Sequence, residues 1–143
     1  DSIIQILQGL AKAIVKYQDP SSGTWYQVTD QGAREGNYLE SSATALFIYT
    51  LAKAINKGYI GNEYIEPTQK AFDGMVKTFT RLEEDGSYTI TNCCAVAGLG
   101  GDSKRYRDGS FEYYISEPII ENDPKSVGSF ILAAIEYEKM TKK

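Results

Sequence analysis

The chain of 143 residues contains no histidine and only two cysteines. The absence of histidine excludes a His-based catalytic triad, a His proton shuttle and a His-ligated metal within this chain. The cysteines are the neighbours Cys93 and Cys94, so a disulfide scaffold is excluded, and two thiols without other ligands do not make a zinc site. Two interpretations of the pair stay open: two small half-buried thiols, or a strained vicinal disulfide.

The chain also lacks an excess of positive charge and a long apolar segment. Fifteen Lys and Arg stand against 19 Asp and Glu, a net charge of −4, which argues against a nucleic-acid partner. The longest uncharged run, residues 86–101, is short of the roughly 20 apolar residues that cross a bilayer, and we expect no membrane partner. Because no basic-then-apolar leader is visible, we expect a cytoplasmic location, with the periplasm as the alternative.

The apolar residues that are present predict four helices of two kinds. Segments 2–17 and 62–82 carry apolar residues on one stripe and charged residues on the other face, as a helix with one face in water does. Segments 39–57 and 125–141 are apolar on nearly every side, and a helix of this kind must be surrounded by protein. Gly58 is expected to end the helix at 39–57.

Two long connections join these helices. Residues 18–38 are expected to form a loop with a short extended piece at 24–28, because prolines and glycines interrupt any helical pattern. Residues 83–124 are expected to form a second loop with short strands at 87–91 and 111–115. A connection as long as this second one is usually functional or ordered by packing.

The order of the elements repeats, since a striped helix, a long loop and an all-apolar helix occur twice. With the striped helices outside and the all-apolar helices inside, this order predicts an all-α fold of the α/α-toroid type. Each long loop leads from the end of an outer helix to the start of an inner helix, so both loops are expected at one end. We expect a site there, near the inner-helix N-termini, where the helix dipole favours an anionic ligand.

Charged residues near this end offer candidate chemistry. A general acid needs a carboxyl group with a raised pKa, but spacing selects none of the acids, and for each a role as cap, turn former or solvated charge is the stronger expectation. These acids are Glu40, Asp108, Glu112, Glu117 and Asp123. Arginine suits a carboxylate ligand, while an internal salt bridge is the alternative for each cation. The cations are Arg105, Arg107 and Lys125.

Aromatic residues are also concentrated in the loops. Aromatic rings stack well on the C–H faces of sugar rings, and tyrosine adds a hydrogen-bonding hydroxyl. The alternative is that these rings pack the loops onto the helix ends. The residues concerned are Trp25, Tyr26, Tyr38, Tyr106, Tyr113 and Tyr114.

A series of motifs resembles one known family. The motifs are Gly23-Thr24-Trp25-Tyr26-Gln27-Val28, Asn37-Tyr38-Leu39-Glu40-Ser41-Ser42-Ala43, Ala97-Gly98-Leu99-Gly100, Tyr106-Arg107-Asp108-Gly109-Ser110-Phe111-Glu112-Tyr113-Tyr114 and Asn122-Asp123-Pro124-Lys125. In order and rough spacing they resemble the unsaturated rhamnogalacturonyl hydrolases of glycoside hydrolase family 105. These enzymes are relatives of the unsaturated glucuronyl hydrolases of family 88. The resemblance covers essentially the whole chain.

The resemblance implies a fold and an activity. The family fold is an (α/α)6 barrel, and the four predicted helices look like about its last third, so residues 1–143 are expected to be a C-terminal segment of an α/α-toroid glycoside hydrolase domain. A start at Asp1 rather than Met agrees with a longer protein. The family removes a terminal unsaturated uronic acid from lyase products. A single Asp protonates the C4=C5 double bond, water adds at C5 and the hemiketal collapses; no metal or other cofactor is needed.

The resemblance also bears on the site. The family's catalytic Asp and its active-site histidines lie in the N-terminal half of the barrel, and none of the acids here matches that motif. We therefore assign no catalytic residue and expect the chain alone to be inactive. The residues that the resemblance suggests for substrate binding are Tyr38, Glu40, Ser41, Arg107, Tyr113, Asn122 and Lys125. The implied partners are an oligosaccharide with a terminal unsaturated uronic acid and the N-terminal remainder of the barrel.

Other functions stay open. The chain can instead be an all-α module that binds a carbohydrate or a protein, or a structural remnant that needs its missing half. A further alternative is another α/α-toroid carbohydrate enzyme, such as a lyase or an epimerase.

Overall fold

The computed structural model describes residues 2–32, 34–101 and 106–142, and this part of the chain forms five α-helices and four short strands. The helices are α1 (Ser2–Lys16), α2 (Ser41–Lys57), α3 (Ile65–Phe79), α4 (Phe111–Ser116) and α5 (Pro124–Thr141). The strands are β1 (Thr80–Leu82), β2 (Tyr88–Ile90), β3 (Cys93–Cys94) and β4 (Ile119–Ile120). The antiparallel pairs are β1 with β2 and β3 with β4. None of these helices is long and apolar enough to cross a bilayer.

Helices α2 and α5 lie side by side and run parallel, and they form the inner pair. At their starts the hydroxyl oxygens of Ser41 and Ser126 are 2.8 Å apart. Near their ends Asn56 Nδ2 donates to the Glu136 carbonyl at 2.9 Å. Because both helices begin at the same end, their N-termini present the positive ends of their dipoles together.

Helices α1 and α3 form the outer layer, as the repeat of striped helices predicts. The Phe72 ring of α3 stacks on the Tyr137 ring of α5, with centroids 3.9 Å apart. Ala11 and Ile14 of α1 join the core, and the buried Trp25 donates from Nε1 to the Ile14 carbonyl at 2.8 Å. The architecture is therefore two outer–inner units, α1 with α2 and α3 with α5.

The first loop is anchored on α3 through two glycines. Gly23 has φ +76°, and a β-carbon there would stand 2.6 Å from the Lys70 carbonyl oxygen. A β-carbon at Gly74 would stand only 1.9 Å from the Ser22 carbonyl oxygen. The loop thus contacts the α3 backbone directly, and any side chain at Gly74 would prevent this close approach.

One helix boundary and the type of one element differ from the sequence-based expectation. The helix predicted for 62–82 ends at Phe79, because Thr80 is extended (φ −107°, ψ 133°) and pairs with Ile90. The strand predicted for 111–115 is wrong, because this segment is the helix α4, whose N-cap Ser110 accepts a hydrogen bond from Tyr113 N at 3.1 Å. The Ser110 side chain, as the N-cap, favours a helix over a strand in this segment.

Other expectations about the loops and caps have clear outcomes. Gly58 ends α2 with φ 69°, as predicted. Of the predicted extended piece at 24–28, only Tyr26 pairs, with Leu39. Both cysteines are free and buried, so the vicinal disulfide interpretation is wrong. They lie in β3, and successive side chains of an extended strand point to opposite faces.

The inner helices are less enclosed than their composition predicts. On α5, Ile131 is 55% exposed and Ile135 is 45% exposed. Leu46 of α2 is also largely exposed, as is Ile3 of α1. Each inner helix buries the side that faces its neighbours in this chain, and among the described residues no further element covers the opposite side of α5.

Candidate functional site

Both long loops meet at the N-termini of α2 and α5, as predicted. Ser41 N donates to the Asn92 carbonyl at 3.0 Å, which joins the start of α2 to the residue before β3. The first loop reaches the second where Gln27 Nε2 donates to Cys94 Sγ at 3.3 Å. The Arg34 guanidinium also pairs with Glu112 across the two loops. The segment that contains β3 therefore lies over the start of the inner pair.

Glu40 is buried and caps α2. Its Oε2 accepts from Ala43 N at 2.6 Å, while its Oε1 accepts from Ser42 Oγ at 2.9 Å and from Cys94 N at 3.0 Å. A carboxylate at a helix N-terminus also interacts favourably with the helix dipole. The capping role considered for this acid is confirmed, and the same carboxylate connects α2 to β3.

Tyr38 lies beside this cap. Its hydroxyl is buried next to the Cys94 thiol and meets no oxygen or nitrogen partner among the described residues. Burial, followed by the neighbouring Cys94 and the charge of Glu40, raises the pKa of Tyr38. The hydroxyl is therefore protonated at neutral pH and keeps a proton to donate.

Three neighbouring residues organise the start of α5. Asp123 caps the helix by accepting from Lys125 N at 2.8 Å, and hydrogen bonds from Lys125 lower the pKa of Asp123. Lys125 Nζ donates to the Ala95 carbonyl at 2.9 Å and to Asp123 at 2.8 Å; burial opposes its charge, but the bond to Asp123 prevails and raises the pKa of Lys125. Asn122 exchanges two hydrogen bonds of 2.8 Å with Ile90. Asn122 and Lys125 thus hold β2 and β3 against α5.

A second polar group contains Arg107, Tyr113 and Glu117. The backbones of Arg107 and Gly100 exchange two hydrogen bonds of 2.9 Å. The Arg107 Nε atom is 4.0 Å from Glu117 Oε1. The Tyr113 hydroxyl accepts from Gly98 N at 3.0 Å. This group joins the glycine-rich segment to α4, and the salt bridge considered for Arg107 is present.

The two remaining acids have local roles. Asp108 accepts from Ser110 N at 2.9 Å and from Ser110 Oγ at 2.7 Å, and these bonds lower the pKa of Asp108. Glu112 is exposed and pairs with Arg34, whose guanidinium lies 3.8 Å from the Phe111 ring centroid. The expectation of turn formers and solvated charges is confirmed for both. The predicted cation Arg105 lies outside the described residues.

Sequence reasoning missed Asn92, which helps to build this end. Its φ is positive, at 57°, as is that of the predicted candidate Asn122, at 51°. Asparagine is the residue other than glycine that tolerates this conformation best, so loop asparagines were an available signal. Of the aromatic candidates, Trp25 is in the core, where the packing interpretation holds, whereas Tyr106 is 70% exposed. Within the described residues, no group of three or more acids and thiols can hold a metal ion.

These features define the class of fold. Two outer–inner helical units place their long loops over a pair of parallel inner-helix N-termini, which makes the chain an arc of an α/α toroid. Arg107 and Lys125 lie at the same end, paired with Glu117 and Asp123, and the Arg107 side chain stays partly exposed. The exposed part of its guanidinium suits an anionic ligand.

The comparisons with known proteins give the family. A model of Glycosyl Hydrolase Family 88 matches residues 1–141, and the chain belongs to this family. In structure it is similar to a family 105 glycoside hydrolase from C. acetobutylicum, at 44% identity and a TM-score of 0.92 over 96% of this chain. It is also similar to a possible member of the GH105 family from Salmonella enterica, at 26% identity and a TM-score of 0.77 over 99% of this chain.

The relatives are longer than this chain. Protein Atu3128 of Agrobacterium fabrum and the 24.9 kDa protein in picA locus of Rhizobium radiobacter are each 37% identical over 119 residues, which cover 80% of this chain and 51% of each relative. The chain covers 38% of the C. acetobutylicum structure and 32% of the Salmonella structure. It therefore spans about half the length of the curated relatives it matches.

Proposed function

We propose that residues 1–143 are the C-terminal segment of a glycoside hydrolase that removes a terminal unsaturated uronic acid from lyase-generated oligosaccharides, including pectin fragments. The observation that carries the proposal is the family 88 match over residues 1–141, together with the loop motifs that resemble the unsaturated rhamnogalacturonyl hydrolases. The N-terminal remainder of the barrel is the partner that completes the cleft. The expected compartment is the cytoplasm.

Arg107 at the loop end supports an acidic substrate. An unsaturated uronic acid carries a carboxylate, and an arginine fork favours such a group. Arg107 is partly exposed there, and its guanidinium suits a carboxylate better than a lysine ammonium does. Tyr113 hydrogen-bonds to the glycine-rich segment near Arg107, and its partly exposed ring suits stacking on a sugar.

We assign the other candidates a supporting part in substrate binding. Ser41, Glu40 and Tyr38 shape the floor at the start of α2. Asn122 and Lys125 fix the corresponding floor at the start of α5. A floor that is already hydrogen-bonded loses little entropy when a ligand binds, which favours affinity.

The proposed reaction draws its acid from outside this chain. In hydration of the double bond, a carboxylic acid donates a proton to C4, water adds at C5, and the resulting hemiketal collapses to release the leaving sugar. The acids at the loop end already have other partners, because Glu40 and Asp123 cap helices, Asp108 forms a turn and Glu112 pairs with Arg34. The chain alone is therefore expected to be inactive.

An absorbance assay tests this proposal. The complete protein that carries this chain and the purified chain are each incubated with unsaturated digalacturonide and unsaturated rhamnogalacturonide, and the ultraviolet absorbance of the conjugated double bond is followed. The complete protein is expected to lower the absorbance, while the chain leaves it unchanged. Turnover by the chain, or no loss of absorbance with the complete protein on either substrate, contradicts the proposal. Rising absorbance with intact polysaccharide would instead identify a lyase.

A further inference from the structure

Glu117 is a buried carboxylate that the proposed reaction leaves without a role. Its side chain has no exposed surface, and it follows α4 directly at the edge of the loop end. Burying an ionised carboxylate is costly unless opposite charge and hydrogen bonds surround it. A cation near it among the described residues is Arg107, whose Nε is 4.0 Å from Glu117 Oε1.

Tyr113 joins the same arrangement. Its hydroxyl accepts a hydrogen bond from Gly98 N at 3.0 Å. Burial, followed by a hydrogen bond with the Glu117 carboxylate, raises the pKa of Tyr113. One carboxylate therefore interacts with both Arg107 and Tyr113, two residues to which the proposed function gives a part in substrate binding.

The position of Arg107 leaves part of its guanidinium available. The Arg107 side chain is 32% exposed, and the Nε edge is the one that faces Glu117. Its Nη1 atom lies 3.5 Å from the point where a β-carbon on Gly98 would stand, so the guanidinium lies against the glycine-rich segment. An arginine has five N–H donors in a planar fork, and a partner on one edge fixes the plane for a ligand on another.

We propose that Glu117 is a positioning residue, which holds the Arg107 guanidinium and the Tyr113 hydroxyl so that Arg107 receives the carboxylate of an acidic sugar. This inference rests on the function proposed above. Glu117 does not touch the substrate itself, since its side chain is fully covered by protein. Its effect is to orient Arg107 before the substrate arrives, which reduces the entropy lost on binding.

Kinetics of the complete protein test the inference with a charged and a neutral substrate. Unsaturated digalacturonide is compared with its methyl ester at the unsaturated residue. The variant Glu117→Gln is expected to raise KM for the acid about tenfold, with a much smaller change in kcat, and to leave KM for the ester nearly unchanged. The matched control Glu112→Gln removes the same charge from an exposed position on α4 and is expected to leave both substrates unaffected.

Two further variants separate positioning from a loss of folding. Glu117→Asp keeps the charge and is expected to recover part of the affinity for the acid. Because Glu117 acts through Arg107, the double variant Arg107→Ala with Glu117→Gln is expected to have the KM of Arg107→Ala alone. Any of three results would overturn the inference. Glu117→Gln could raise KM equally for the acid and the ester, it could show wild-type kinetics, or its effect on KM could add to that of Arg107→Ala in the double variant.

Equilibrium binding gives a measurement that does not depend on turnover. Calorimetry of the same proteins with saturated digalacturonate and with neutral galactobiose is expected to show a preference for the acid in the wild type that Glu117→Gln loses. If the wild type hydrates no unsaturated substrate, the proposed function fails. The inference about Glu117 is then tested only by whether the wild type binds the acid more tightly than the neutral sugar and whether Glu117→Gln loses this difference. A wild type without the preference, or a Glu117→Gln variant that keeps it, overturns the inference.

Discussion

At the scale of single residues, the acids of the loop end differ in what surrounds them rather than in their type. Asp123 directly precedes a helix and is bonded to its first turn, while Glu40 does the same and also accepts from Cys94 N. Glu117, by contrast, is buried and lies near Arg107, ten positions earlier. Local spacing indicates a cap, since the cap and its partner are three residues apart or fewer. It does not indicate which loop acid is covered by another part of the loop.

Asp19 gives a prediction about pH. Burial disfavours its ionisation, but hydrogen bonds from Ser21 and Ser22 outweigh burial and hold the pKa of Asp19 below its ordinary value of 3.8. A carboxylate whose pKa is lower in the folded state contributes stability above its ordinary pKa, and this contribution is lost as the pH falls through the lowered value. Asp19→Asn is expected to cost about 1 kcal/mol at pH 7, a modest figure because solvent screens the charge, and clearly less at pH 3.

Urea unfolding of the wild type and Asp19→Asn at both pH values measures this difference. The control is the loss of unfolding free energy caused by Asp19→Asn at pH 3, compared with the loss at pH 7. Any effect of the amide on packing is the same at both pH values and therefore cancels. The three bonds of 2.7 Å to Asp19 Oδ2 are the physical basis of the expectation. A cost that is equal at the two pH values would show that the charge of Asp19 contributes nothing.

At the scale of elements, the long helices could be predicted, as could strand β2, which lies within the strand predicted at 87–91, but the other short elements could not. The periodic pattern places α1, α2 and α5 within two residues of their observed starts. The segment 111–115 carries aromatic and β-branched residues, which favour a strand, but Ser110 caps it as a helix. Strand β1 depends on pairing with β2, and such pairing is a contact between segments rather than a property of either one.

Gly74 gives a prediction at this scale. Glycine in a helix interior usually costs up to about 1 kcal/mol relative to alanine, so Gly→Ala usually stabilises. In α3 the opposite is expected, because an added β-carbon at Gly74 would stand 1.9 Å from the backbone oxygen of Ser22. Gly74→Ala is expected to destabilise the fold by about 2 kcal/mol, the range seen when a packed core is overfilled.

Gly9 is the matched control for this prediction. It also lies inside a helix, α1, and nothing stands within 4 Å of its added β-carbon. Gly9→Ala is therefore expected to stabilise by about 0.5–1 kcal/mol. Urea unfolding of both variants measures the signs. If both glycines respond alike, the first loop does not rest on α3 as described.

At the scale of the whole molecule, the order of helix types predicted the outer and inner layers and the end at which the loops meet. What it could not give is how much of each inner helix is covered within this chain. Composition records that α5 is apolar on most sides, but the covering elements are a property of the complete fold. Ile131, Leu132 and Ile135 form an exposed apolar stripe on α5, on the side away from α2. Stripes of this kind mark an interface more often than a free surface.

This α5 stripe gives the last prediction. In the chain alone, Ile131→Gln combined with Ile135→Gln is expected to reduce self-association in light scattering and to change stability by less than about 0.5 kcal/mol, because both side chains are exposed. In the complete protein the same pair is expected to lower the free energy of unfolding by about 3–6 kcal/mol, since each buried isoleucine contributes roughly 1.5–3 kcal/mol. Leu82→Gln is the control, because Leu82 is 62% exposed in the β1–β2 hairpin, and little effect is expected in either protein. The contrary outcome is that the wild-type chain is monomeric, that the double substitution leaves its light scattering unchanged, and that the complete protein keeps its stability. This would show that the stripe faces solvent, and it would favour a self-standing binding module over an arc of a larger barrel.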